Sequence, residues 1–122
     1  MKNEIVVIED NEQNLYLVTF LLERYGYKIF PATSGPDGIA LAAQVQPELI
    51  LLDIQLPLMD GYTVARELKR NPLLLNVPII AVTSYAMVGD KERALDAGCV
   101  GYIEKPINPS TFVTEIKRFL PL

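Results

Sequence analysis

The chain of 122 residues contains no histidine. That absence removes the side chain most often used as a general base and metal ligand near neutral pH. Cysteine occurs once, as Cys99, so no internal disulfide can form, and a reducing compartment such as the cytoplasm is the simplest setting. No apolar stretch approaches the roughly 20 residues that a membrane helix needs. A signal peptide is not expected either, because Glu9 and Asp10 interrupt the apolar run that follows Met1-Lys2-Asn3-Glu4. Positive charge is in the minority: 11 Lys and Arg stand against 15 Asp and Glu, a net charge of −4, which argues against direct nucleic-acid binding. Linkers, low-complexity tracts and repeats of 20–50 residues are also missing.

What is present is an ordinary globular composition, half hydrophobic and 21% charged, in a length that suits one domain. Short β-rich runs fall at residues 5–8, 28–32, 49–52, 78–82 and 100–103. Helical patterns lie between them at 11–25, 35–45, 62–70, 87–97 and 110–120. Turn signals at Gly26, Pro47, Asn71-Pro72, Gly98 and Asn108-Pro109 mark the joints. Five strand–helix units predict an α/β domain with a doubly wound, five-stranded parallel sheet, helices on both faces and right-handed crossovers. The matching architecture is a flavodoxin-like (βα)5 fold with strand order 2-1-3-4-5. Residues 1–122 are read as a single domain, with no second module after the last helix, which runs out at Pro121-Leu122.

Residues 48–61, ELILLDIQLPLMDG, carry the most informative anomaly. A run such as Leu49-Ile50-Leu51-Leu52 reads as a strand buried on both faces, yet Asp53 closes it. The other strand ends are polar too: Glu9-Asp10 after the first, Thr83-Ser84 after the fourth, Glu104-Lys105 after the fifth. Ligands of doubly wound sheets bind at the carboxyl edge, where strand order reverses; here strands one and three would flank that crevice. Asp10 and Asp53 would then face each other, with Glu9 close by. Clustered carboxylates repel unless a cation neutralises them. Hard oxygen donors without imidazole or thiol suit Mg²⁺. Lys105 adds a mobile ammonium and Thr83 a hydroxyl, which together make a site for a phosphoryl group, with Asp53 as candidate acceptor. Each residue alone has a plainer reading. Glu9-Asp10 resembles a cap and solvated turn, Asp53 a turn residue, Thr83-Ser84 a cap, Lys105 a solvated charge and Tyr102 a core aromatic. Their coincidence at matching strand ends is what favours a site.

These segments resemble the receiver domain of two-component response regulators over essentially the whole chain. VVIEDN is similar to the family's acidic pair, LLDIQLPLMDG to its phosphoacceptor segment, VTSYA to its switch-threonine segment and GYIEKP to its aromatic–lysine segment. The resemblance implies that Asp53 is phosphorylated. It also implies that Asp10, Asp53 and the backbone carbonyl of Gln55 bind Mg²⁺, with Glu9 acting largely through water. By the same likeness Lys105 and Thr83 engage the phosphoryl oxygens, Tyr102 turns inward when Thr83 moves, and the Lys105–Pro106 bond is cis. Pro57 and Gly61 would shape the loop after Asp53, and Ser84 is small, as access to Asp53 requires. Tyr85 departs from a small residue there; it either hinders attacking water or is a surface residue without kinetic effect. The stretch SYAMVGDKERALDAGCVGYIEKPI is most similar to the single-domain, DivK-like group, whose members act by docking on other proteins. Receiver modules of hybrid histidine kinases carry similar stretches, so an excised module is the alternative.

The implied function is a signalling switch, not an enzyme beyond Mg²⁺-dependent phosphorylation and dephosphorylation of its own Asp53. Lacking histidine, the chain must receive its phosphoryl group from a histidine kinase, a histidine phosphotransfer protein or a small acyl phosphate, and pass the signal to a downstream protein effector. An aspartate-nucleophile phosphatase is a competing class, but it needs a second aspartate where Gln55 stands. A constitutive docking module that never uses the site is another. On the first helix Leu17, Val18, Leu21, Leu22 and Tyr25 form an inward stripe. Leu15, Tyr16 and Phe20 are left over, either packing on their own helix or forming a docking patch. A second expected surface spans the fourth helix, fifth strand and fifth helix, with Lys91, Glu92, Arg93, Lys117 and Arg118 as rim or merely solvated charges.

Overall fold

The computed structural model describes residues 3–84 and 88–120. Strand-to-strand alternation sets its architecture, because successive residues of a strand point to opposite faces. Ile5 and Val7 of β1 (Glu4–Ile8), Leu49 and Leu51 of β3 (Leu49–Asp53), and Ile80 and Val82 of β4 (Ile79–Thr83) all join one buried cluster. Val6, Ile8, Ile50, Leu52, Ile79 and Ala81 join the other. A sheet apolar on both faces must be covered on both, and it is. Helix α1 (Glu12–Glu23) brings Val18, Leu21 and Leu22 to the first face, and α5 (Phe112–Lys117) brings Phe112, Val113 and Ile116. The opposite face is covered by α2 (Gly35–Val45), α3 (Gly61–Arg70) and α4 (Asp90–Asp96). Burying one such leucine or isoleucine contributes about 1.5–3 kcal/mol, so the two layers supply most of the driving force.

All strand pairs are parallel, in the order β2-β1-β3-β4-β5, with β2 spanning Lys28–Ala32 and β5 spanning Gly101–Glu104. This is the expected order 2-1-3-4-5. Pro31 lies in β2, an edge strand paired only with β1, where a missing N–H is tolerated. The helices after β1, β2 and β3 begin on side-chain caps: Asn11, Ser34 and Asp60 accept from the backbone N–H of Asn14, Asp37 and Thr63.

Element boundaries differ from the expected ones mainly in the C-terminal half. The fourth helix was expected from residue 87, which lies outside the described residues; 88 and 89 form a turn and α4 starts at Asp90. Helix α5 covers Phe112–Lys117 only, within the expected 110–120. Strand β5 is shifted by one, leaving Val100 exposed, and β3 extends to include Asp53 itself. Tyr25 is not part of the inward stripe of α1: the helix ends at Glu23, and Tyr25 is exposed with the Lys117 ammonium 4.9 Å from its ring centre. Of the leftover apolar residues, Leu15 packs against the core. Tyr16 and Phe20 are exposed and stacked on each other at 6.4 Å. No helix among the described residues is long and apolar enough to cross a membrane.

Candidate functional site

Strands β1 and β3 are adjacent, with Ile8 opposite Leu52, so both chains leave the sheet at the same edge. Helix α1 then departs to one face and α2 and α3 to the other, which opens the crevice at that edge. Glu9 and Asp53 are buried there, and Asp10 is exposed beside them. One carboxylate oxygen from each of Glu9, Asp10 and Asp53 lies within 4.8 Å of the others. This donor set of hard oxygens fits a small divalent cation such as Mg²⁺. Gln55, expected to add its backbone carbonyl, lies on the same loop, where its N–H donates to Asp53 Oδ1 at 2.9 Å.

Lys105 enters from the end of β5. Its Nζ stands 2.8 Å from Glu9 Oε1 and 3.3 Å from Asp53 Oδ2, and its side chain is largely buried with theirs. The Lys105 N–H donates to the Thr83 carbonyl at 2.7 Å, and the Lys105–Pro106 peptide is cis, as expected. One ammonium does not balance the carboxylates. Burial pushes Glu9 up to about 7, and its hydrogen bond with Asp53 and the Asp53 charge push the same way; Lys105 and the Asn11 N–H only partly offset this. Crowding of the carboxylates thus disfavours the charged form of Glu9.

Thr83 is buried at the end of β4, one residue beyond the Asp53–Val82 pairing. Tyr102 is half-buried on β5, where it pairs with Ala81 of β4. Burial raises the Tyr102 hydroxyl, the charges of Asp90 and Glu104 add to the rise, and the Thr83 hydrogen bond opposes it. Tyr85, the expected departure, lies outside the described residues. Ser84 is described, and it is exposed.

Two features had no counterpart in the sequence reading. The first is the Gln55 side chain, whose amide Nε2 donates to Thr83 Oγ1 and whose Oε1 accepts the Ser84 N–H at 2.9 Å. A glutamine 28 residues away from its partner leaves no local pattern to read. The second joins α3 to α4: Tyr62 Oη donates to Asp90 Oδ1 at 3.3 Å, and the Arg93 guanidinium sits 4.3 Å from the Tyr62 ring centre. Here the sequence offered only Arg93 as a surface charge. Cys99 is a buried free thiol in the α2–α4 layer, pushed up to about 11 by burial, and has no part in the site.

The chain is similar to known proteins in sequence and fold. The family model of the response regulator receiver domain matches residues 5–117. The polar-differentiation response regulator DivK of Brucella ovis is 42% identical over 120 residues, 98% of each chain. The receiver domain of the sensor histidine kinase PA1611 from Pseudomonas aeruginosa is 33% identical, with a TM-score of 0.87 over 95% of each chain; that structure has a magnesium ion coordinated in its active site cleft. The chemotaxis protein CheY4 of Vibrio cholerae superposes with a TM-score of 0.91 over 96% of this chain and 98% of its own, at 23% identity, a likeness of fold alone.

Proposed function

The chain belongs to the response regulator receiver domain family, and we propose that it works as a phosphorylation-activated switch whose acceptor is Asp53. The observation that carries this reading is the facing of Glu9, Asp10 and Asp53 by Lys105 at the crevice of the sheet. Carboxylates do not gather in threes around one buried ammonium without an electrostatic cost. A binding site for a cation and a phosphoryl group explains why that cost is tolerated.

A carboxylate oxygen of Asp53 displaces the donor imidazole of a phosphohistidine: an O–P bond forms as the P–N bond breaks. The Gln55 N–H on Asp53 Oδ1 fixes the rotation of the carboxylate for this displacement. Glu9, Asp10 and Asp53, with the Gln55 carbonyl, would hold Mg²⁺; the ion, when bound, supplies positive charge that screens the carboxylates and draws in the phosphoryl oxygens. Lys105, held between Glu9 and Asp53, moves its ammonium onto the new phosphoryl oxygens, and Thr83 turns its hydroxyl to donate to one of them. Tyr102, on the strand beside β4, follows into the space that Thr83 vacates, and the surface of α4, β5 and α5 changes for a protein effector.

The phosphoryl donor is a histidine kinase or phosphotransfer protein, and the exposed Tyr16–Phe20 stack on α1, the helix that follows Glu9 and Asp10, is the surface offered to it. The setting is the cytoplasm, which suits a protein with one free buried thiol. A phosphatase reading is disfavoured because Gln55, where a general acid is needed, spends its amide on Thr83 and Ser84. Binding of beryllium trifluoride, a phosphoryl analogue, tests the proposal. Saturable binding that requires both Mg²⁺ and Asp53 supports it; absence of binding would leave only a constitutive docking module.

A further inference from the structure

The two hydrogen bonds of the Gln55 amide determine each other's direction. A backbone N–H only donates, so the atom facing Ser84 is the amide oxygen, and the atom facing Thr83 is the –NH₂ group. That group has no lone pair to offer. Thr83 Oγ1 must therefore accept from Gln55, and its own proton points away from the amide. The result is a directed chain from Ser84 through Gln55 to Thr83, and chains of this kind reinforce themselves. The same residue's backbone N–H is bonded to Asp53 Oδ1, so one glutamine is tied to the acceptor and to the switch end of β4 at once.

A phosphoryl group on Asp53 presents only acceptor oxygens. The Thr83 hydroxyl and the Ser84 N–H, at the end of the strand paired with β3, are donors it would draw on. In this structure Gln55 takes up the Ser84 N–H and tethers Thr83 through its hydroxyl oxygen. We propose that the Gln55 side chain is a latch: its amide holds Thr83 and Ser84 in the resting arrangement, and phosphorylation throws the switch by displacing it. Gln55 is thus a positioning residue whose side chain sets the resting bias, distinct from any use of its backbone carbonyl. The inference rests on Asp53 being the phosphoacceptor.

The test compares wild type with Gln55→Ala and Gln55→Met. Methionine keeps the length and bulk of glutamine but can make neither hydrogen bond. Two readouts are needed: affinity for beryllium trifluoride with Mg²⁺, and exchange of the Ser84 amide hydrogen without ligand. Both variants should bind the analogue about tenfold tighter, the scale of losing one or two competing hydrogen bonds. Both should also exchange the Ser84 amide several-fold faster than wild type. If Met behaves as wild type and only Ala differs, the side chain is a filler and the latch is wrong. If wild type binds the analogue and neither variant binds it tighter, the latch is also wrong while the acceptor reading stands. If wild type binds no analogue at all, the acceptor reading fails and takes the latch with it.

Discussion

Replacing Gly61 with alanine probes how tightly the loop after Asp53 is clamped. A Cβ built on Gly61 would lie 2.5 Å from Ile54 Cα, 2.8 Å from the Asp53 carbonyl oxygen and 2.9 Å from Ile54 Cδ1. Ordinary contact begins near 3.4 Å, and two of these neighbours are backbone atoms that have no rotamer to change. Something close to an ångström must be found by moving α3 away from the loop. That movement strains the 3.0 Å hydrogen bond from the Gly61 N–H to the Ile54 carbonyl. Overpacking of this kind costs about 1–3 kcal/mol, and a weakened hydrogen bond about 1 kcal/mol. The better helix propensity of alanine returns roughly 0.5–1 kcal/mol at most. The expected net loss is therefore about 1–3.5 kcal/mol, or a fall of roughly 0.5–2 M in the urea midpoint. Urea unfolding followed by circular dichroism measures it. Gly89→Ala serves as the control, since no atom of the described residues lies within 4 Å of its added Cβ and its φ of +90° is what is strained. A Gly61→Ala protein that unfolds at the wild-type midpoint, or resists urea better than Gly89→Ala, would refute the reasoning.

Other consequences are as specific. Leu58 is almost fully exposed with φ of 70°, so Leu58→Asn should stabilise the protein by roughly 0.5 kcal/mol or more, read from the same unfolding curves. Glu9, raised to about 7 from 4.5, makes the folded state bind the extra proton between those values. The metal-free protein should therefore lose stability as pH rises from about 5.5 through 7, on the order of 2 kcal/mol, and Glu9→Gln should flatten the profile; parallel profiles would assign the effect to another group. Asp10→Asn should leave the fold intact, or more stable through relieved repulsion, while weakening Mg²⁺ at least about tenfold in a calorimetric titration. Thr83→Ala should still accept phosphate at Asp53 yet lose the phosphorylation-dependent gain in affinity of a partner bound across α4 and β5.

The strands were legible because a doubly covered parallel sheet writes itself as short apolar runs, and Asp53 stood out as the charge at the end of one. Caps such as Asn11, Ser34 and Asp60 are local chemistry, so the starts of α1 to α3 fell within a residue of expectation. The start of α4 did not, because Gly89, in the left-handed region, precedes it without a side-chain cap to announce the turn. Tyr25 fitted a helical stripe by spacing alone; the chain stops being helical at Glu23, and spacing then loses its meaning. The carboxylates and Lys105 could be placed together once strand order was inferred, since each sits at the end of its own strand. Gln55 could not be. Its amide bridges to another strand through atoms with no periodicity, and nothing but coordinates reveals which neighbours it satisfies.

The central claim is that Asp53 takes up a phosphoryl group, and chemical labelling tests it most directly. Protein incubated with acetyl phosphate, with and without Mg²⁺, is digested, and the phosphorylated residue is mapped by mass spectrometry. The account expects label on Asp53 alone, dependent on Mg²⁺ and absent from Asp53→Asn, whose amide is not a nucleophile. Label on another residue, or equal labelling of Asp53→Asn, would contradict it.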